Sequence, residues 1–333
     1  MLWDVFQRQW PHDARLLLLT DRVRSQPSLA QKVRFALHTT QIQLLRRTDW
    51  ILFSHLGLAE VQRGLPRQLR ARYGVFLYGS EIWRPLTNGE RQVLADADLR
   101  VAISPFTAAR VMDMHPDIGP VEVCPLALPS NAPENYPRTS SDAAPRLGAH
   151  AVLVVGRMLN AERYKGHDEL IDAWPRVVAK VPDAQLVIAG QGDDVARLKD
   201  KASRSSVGQS IMFVGFVSPQ VREALYEHAA LFALPSRGEG FGLVYLEAMS
   251  HRRACVGSVH DAARDVIVDG RTGRLVDPDN LDVMADTIAS LLIDHDRRRL
   301  MGEEGYRRLQ EQFTFESFAR RVGALLNGQT VTT

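Results

Sequence analysis

Leu231-Phe-Ala-Leu234, followed by Pro235-Ser-Arg-Gly-Glu-Gly-Phe-Gly-Leu-Val-Tyr-Leu-Glu-Ala-Met249, constrains this chain more than any other stretch. The four apolar residues have the character of a buried strand. Beyond the glycines, Leu243, Leu246, Ala248 and Met249 recur at helical spacing, so the order is strand, glycine loop, helix. Gly240 and Gly242 let the main chain approach a ligand closely, and the first amides of the helix lack intrahelical acceptors. An anion, above all a phosphate, suits such a place. A tight turn that merely opens a core helix is the bland alternative. Glu239 and Glu247 bracket the loop. Carboxylates beside a phosphate site must meet something else, and sugar hydroxyls are the natural candidates.

The 333 residues give room for two domains, each with its own core. With 45% hydrophobic and 24% charged residues the chain has the balance of a globular protein in water. A net charge of +2 leaves no nucleic-acid footprint on the whole molecule. Cys124 and Cys255 lie far apart in apolar runs, which suits buried thiols rather than a disulfide or a metal cluster. Leu16 to Leu19 is too short to span a bilayer, and no signal peptide is recognised, so a reducing cytoplasm is expected. Residues 22–72 hold ten Lys/Arg, among them Lys32, Arg34, Arg46, Arg47, Arg63, Arg67 and Arg70, against Asp49 and Glu60. Such a face is either solvated helix surface or a patch for anionic headgroups.

In chain order, Leu2, Val5, Phe6 and Trp10 mark a helix ended by Pro11, and residues 14–20 are expected to form a strand. A helix over 31–45 follows, then strands at 50–54, 75–78, 99–104 and 121–125. Pro133, Pro137 and Pro145 give residues 131–150 a linker composition. Strands follow at 152–155, 185–189, 211–214, 231–234, 254–256 and 274–276. Helices alternate with them, one interrupted by Pro175 and the last three starting near Asp282, Arg297 and Glu316. This alternation predicts an α/β fold with parallel sheets in two domains, 1–130 and 151–312, followed by a C-terminal helix in 313–333. Two such sheets imply a cleft, with ligands at the carboxyl ends of the strands.

The Glu239-x7-Glu247 pair around Gly240-Phe241-Gly242 does not stand alone. With Asp269-Gly-Arg-Thr-Gly-Arg-Leu-Val-Asp-Pro278, Val155-Gly-Arg-Met158 and Lys165-Gly166, it resembles the signature of the retaining, nucleotide-sugar-dependent glycosyltransferases of group 1 (family 4). The likeness is close over about 151–326 and looser before it. It implies the GT-B architecture, two Rossmann-like domains facing across a cleft, with the last helix crossing back to the first domain. It also implies catalytic roles for Arg157 and Lys165, as the diphosphate pair, and for Glu239, at the donor-sugar hydroxyls. Glu247 would take the ribose and Val217 would meet the base through its main chain. Gly190, Gly240, Phe241, Gly242 and Leu243 complete the donor site. The implied chemistry is a front-face displacement in which the leaving phosphate takes the acceptor proton, so no general base is expected.

Departure of a diphosphate needs positive charge from a metal or from fixed cations. The Asp-x-Asp pair Asp96-Ala-Asp98 precedes a strand rather than following one and is taken as helix-end solvation. No metal and no cofactor are expected; the nucleotide-sugar is a substrate. Where the family usually has His-Gly, this chain has Tyr78-Gly79, and Tyr78, Glu81 and His55 are the acceptor-side candidates. The chain also opens inside the helix that usually follows a first strand and Gly-Gly loop, so an abridged first domain is expected. The leading expectation is a cytoplasmic hexosyltransferase at the inner membrane face, using a UDP- or GDP-sugar and a glycan or lipid-linked acceptor in surface polysaccharide assembly. A nucleotide-sugar-binding protein with weak or no transfer is the alternative. A nicotinamide oxidoreductase would need a third glycine after Gly190-Gln-Gly192 and an acid about 20 residues on, and has neither.

Overall fold

The computed structural model describes residues 1–19, 28–129 and 145–328. Arg22, Arg24 and most of the expected linker lie outside the described residues. The chain divides into two units, one of Met1–Pro125 with everything from Phe318 onward, the other of Leu126–Ser317.

In the first unit α1 (Leu2–Gln9) buries Val5, and α2 (Leu29–Leu44) starts in a capping box between Ser28 and Gln31. Then come β1 (Trp50–Phe53), α3 (Leu56–Ala59), β2 (Arg72–Leu77), α4 (Asn88–Asp96), β3 (Leu99–Ala102), α5 (Pro105–Met114) and β4 (Glu122–Val123). The strands pair in parallel in the order β1-β2-β3-β4. Tyr73, Val75 and Leu77 of β2 pack with Phe53, Ile82, Leu94 and Val111 in the core. This is the covered-face parallel sheet that the apolar runs predict.

Two expectations are corrected here. Residues 14–19 form no strand: Leu16 and Leu18 are about half exposed, and among the described residues β1 is the edge of the sheet. A run of four leucines carries no alternation to fix one face inward, so it gives a strand no register. The Asp96-Ala-Asp98 pair is more than helix-end solvation, although Asp96 does close α4 and Asp98 is exposed. Asp96 takes the Arg70 guanidinium at 2.9 Å and Asp98 accepts from the Tyr73 amide at 2.9 Å, which ties β2 to the α4–β3 turn.

The second unit runs β5 (Ala151–Val155), α6 (His167–Lys180), β6 (Gln185–Ala189), α7 (Val195–Ser203), β7 (Ile211–Gly215), α8 (Pro219–His228), β8 (Leu231–Ala233), α9 (Leu243–Ser250), β9 (Ala254–Ser258), α10 (Ala263–Val266), β10 (Gly273–Val276), α11 (Leu281–Ile293) and α12 (His295–Gln312). All six strands are parallel, in the order β10-β9-β8-β5-β6-β7. The chain goes outward from β5 one way, then returns to lay β8 on its other side. The order therefore reverses between β5 and β8, and the loops leaving those two strands flank the crevice where such sheets bind ligands. Pro175 sits within α6 without ending it, and Trp174 and Val177 beside it are fully buried. A last helix, α13 (Phe315–Leu326), gives most of its length to the first unit. There Arg321 Nη1 donates to the Pro125 carbonyl at 3.2 Å and Gln9 Nε2 to that of Ala319 at 2.9 Å.

Candidate functional site

The site is assembled from the exits of β5, β6 and β8. Gly156 follows β5, and its amide donates to Ala189 O at 3.0 Å. Gly190 follows β6 with φ of 148°, and a Cβ there would lie 1.8 Å from Gly156 O. At Gly192 a Cβ would come within 1.9 Å of Met158 O. These glycines let two loops touch main chain to main chain, which accounts for Gly-x-Gly here as packing between strand exits.

The next contact brings the chemistry together. Gly166, at φ of 81°, has no room for a Cβ, which would meet Pro235 O at 2.4 Å. The Arg237 amide donates to Tyr164 O at 2.8 Å. The Lys165-Gly166 loop is thereby docked on the loop after β8. The result is an ion pair across 74 residues of sequence: Lys165 Nζ lies 3.1 Å from Glu239 Oε2 with only 13% and 21% of the side chains exposed. Arg157 stands at the rim, 67% exposed, paired with Glu162.

Gly242, at φ of 89°, is the N-cap of α9, and the Tyr245 ring lies directly beneath it. Only glycine combines that backbone with that neighbour. Leu243 opens the helix, so its leading amides are presented at the loop. Glu247, one turn further, is largely buried; Tyr226 Oη donates to it at 2.9 Å and Arg222 Nη2 lies 3.6 Å away. Burial raises its carboxyl above the usual range, against the pull of Arg222. Val217 is half-buried between β7 and α8, beside Phe216 at 64% exposure. The Phe241 side chain points away from the loop surface: it is 2% exposed and packs edge-on against Phe313 at 5.8 Å. Any contact it makes with a donor must come from its main chain.

Two residues of this region carry no motif that would single them out. His167, the first residue of α6, is 3% exposed beside Gly156, with no partner on Nε2. Burial, and then Lys165, hold its imidazole down to about 4, so it is neutral at pH 7. Asp261, after β9, is fully buried against the Glu239 main chain.

The acceptor-side candidates lie in the first unit. His55 Nδ1 accepts from the Gly57 amide at 3.0 Å and so caps α3. Glu81 Oε1 accepts from the Tyr78 amide at 2.5 Å. Burial, with Glu81 close by, pushes the Tyr78 phenol up to about 12. Among the described residues, the grouping with metal-ligand spacing is His260, Asp277 and Asp279, all exposed and outside the glycine loop.

A protein-family model, "Glycosyl transferases group 1", matches residues 141–308, about half of the chain. Over 248 residues the chain is 28% identical to a GDP-mannose-dependent alpha-(1-6)-phosphatidylinositol monomannoside mannosyltransferase of Mycolicibacterium smegmatis, covering 72% of this chain and 64% of that protein. It is 39% identical over 153 residues to a phosphatidyl-myo-inositol mannosyltransferase of Mycobacterium tuberculosis, 46% of this chain and 39% of that one. The chain thus spans less than two thirds of the length of these curated relatives. Among solved structures, a sucrose-phosphate synthase from Thermosynechococcus elongatus superposes with a TM-score of 0.72 at 21% identity, covering 90% and 78% of the two chains. HepE of Anabaena, solved with UDP and glucose, gives 0.70 at 17% identity, covering 90% and 82%. The fold shared with both is GT-B.

Proposed function

This chain belongs to the group 1 glycosyl transferases, and we propose that it moves a hexose from a nucleotide-sugar to a lipid-linked acceptor, with GDP-mannose and phosphatidylinositol lipids the first pair to try. The observation that carries this reading is the Lys165–Glu239 pair held over the glycine loop at the switch point of the second sheet. In this structure the two charges satisfy each other. A donor separates them: its diphosphate takes Lys165, Arg157 and the first amides of α9, and its sugar hydroxyls take Glu239. Glu247 then meets the ribose and the Val217 main chain the base.

Charge that develops on the departing phosphate is offset by cations already in place, so the reading requires no metal. The departing phosphate oxygen takes the acceptor proton on the face it leaves, and configuration is retained. The curated relatives' names supply the choice of GDP-mannose; a UDP-sugar is the second donor to test, and surface glycan assembly the setting.

An anionic membrane is the proposed site of action. No helix among the described residues is long and apolar enough to cross a bilayer. Instead α2 is turned unusually: Thr39 and Gln43 face inward and are buried, while Leu29, Leu37 and Leu44 are 77%, 66% and 53% exposed. Lys32, Arg34, Arg46 and Arg47 lie on or just beyond the same helix. Exposed leucines flanked by cations match a headgroup surface. Phosphatidylinositol vesicles with GDP-mannose test both halves of the proposal. The protein is expected to float with the vesicles and mannosylate them, and to lose flotation when Arg34, Arg46 and Arg47 are changed to Gln and Leu37 to Ser. Flotation indifferent to those changes rejects the membrane surface; absence of transfer from every donor rejects the enzyme and leaves a nucleotide-sugar-binding protein.

A further inference from the structure

Asp261 has no exposed surface. Its Oδ2 accepts from the Glu239 amide at 3.1 Å and its Oδ1 from the Ala263 amide at 2.9 Å. The next residue returns the bond, the Ala262 amide donating to Glu239 O at 3.1 Å. Both main-chain groups of Glu239 are therefore held by the turn between β9 and α10. Ser236 bonds to the same carboxyl and also accepts from the Gly238 amide at 3.1 Å, so the loop is gripped at three places. The Glu239 carboxylate and the Tyr245 phenol, which donates to Leu234 O at 2.6 Å, are close enough to interact with its charge.

A buried carboxylate is an expensive way to stabilise a turn. Burial, together with the Glu239 charge, pushes its pKa up to about 7, whereas most carboxylates in proteins ionise freely. What the group supplies is two acceptors fixed on a rigid turn. We propose that Asp261 is a positioning residue for donor transfer, clamping the Glu239 main chain so that its carboxylate stays within reach of Lys165 and of the sugar. The proposal rests on Glu239 being a donor-site residue. Asp261 itself touches no substrate; it acts through Glu239.

Two measurements on the full chain test it, amide hydrogen exchange over residues 236–243 and steady-state transfer kinetics, each in wild type, Asp261→Asn and Asp261→Ala. With both acceptors gone, exchange over 236–243 in Asp261→Ala is expected to rise about tenfold, while β5 and β6 keep their protection. Asp261→Asn, which retains one acceptor and nearly the same shape, lies between and decides the matter should the alanine variant not fold. Loss of alignment without loss of nucleotide contacts lowers kcat by about 10–100-fold and leaves nucleotide affinity unchanged. Exchange over 236–243 that matches wild type, or protection lost equally through β5 and β6, overturns the clamp. If the wild type transfers from no donor, the functional reading fails, and the exchange measurement still decides whether Asp261 holds the loop.

Discussion

Lys165→Ala is expected to lower glycosyl transfer by about 10²–10³-fold, the usual effect of removing one fixed charge from the place where transition-state charge develops. Lys165 is the better shielded of the two candidate cations, 13% exposed where Arg157 is 67%. Charge in a partly dry site is worth more than charge in water, so the alanine variant of Arg157 is expected to lose less. The geometry adds a second consequence. Lys165 Nζ is 3.1 Å from Glu239, so each single substitution strands a partner of opposite sign. The double variant Lys165→Ala with Glu239→Ala is therefore expected to be less impaired than the product of the two single effects, as for any directly coupled pair. Lys165→Arg is expected to recover only part of the rate, because a planar guanidinium does not occupy the ammonium's place. Initial rates at subsaturating donor, which start from the free protein with the pair intact, measure all five. Wild-type turnover in Lys165→Ala contradicts the site.

Gly190→Ala is expected to destabilise the second unit by about 3–5 kcal/mol, combining a disfavoured backbone with a collision in a packed region. Its φ is 148°, and the obstacle is the Gly156 carbonyl, main chain rather than a side chain that can swing away. Any relief must move the exit of β5, which carries Arg157, so nucleotide binding should weaken along with stability. Gly270→Ala is the control. Its φ of 75° is also left-handed, but nothing lies within 4 Å of a Cβ there, and a loss of only about 1–2 kcal/mol is expected. Urea unfolding followed by circular dichroism measures both. Equal losses in the two variants contradict the packing account of Gly190.

Local signals carried the second unit. Leu231-Phe-Ala before the glycines, then Leu243, Leu246 and Met249 at helical spacing, give β8, its loop and α9 as observed. The pairing of Lys165 with Glu239 was not legible, since the resemblance gives the two residues separate roles, 74 residues separate them, and only the docking of Gly166 on Pro235 brings them together. Asp261 was missed since its partners are amides: a carboxylate that binds main chain leaves no complementary residue in the sequence to betray it. The ring of Phe241 was hidden for a related reason. Flanking glycines suggest a ligand, but the ring of Phe241 has an apolar neighbour in Phe313, 72 positions later. Residues 14–19 misled because four leucines satisfy a strand pattern and many others equally well. His55 has the local role of a cap, set by the amide two residues on, which nothing in an isolated histidine announces.

The measurement that bears most directly on the donor site is calorimetric titration of the chain with GDP and with UDP, beside Glu247→Ala. Glu247 is held by Tyr226 and Arg222, so its removal leaves the Lys165–Glu239 pair in place. The account predicts that one of the two nucleotides binds and that Glu247→Ala weakens it by about 10–100-fold, the effect of losing a hydrogen-bonding charged group. Binding of neither nucleotide, or equal binding by both proteins, contradicts it.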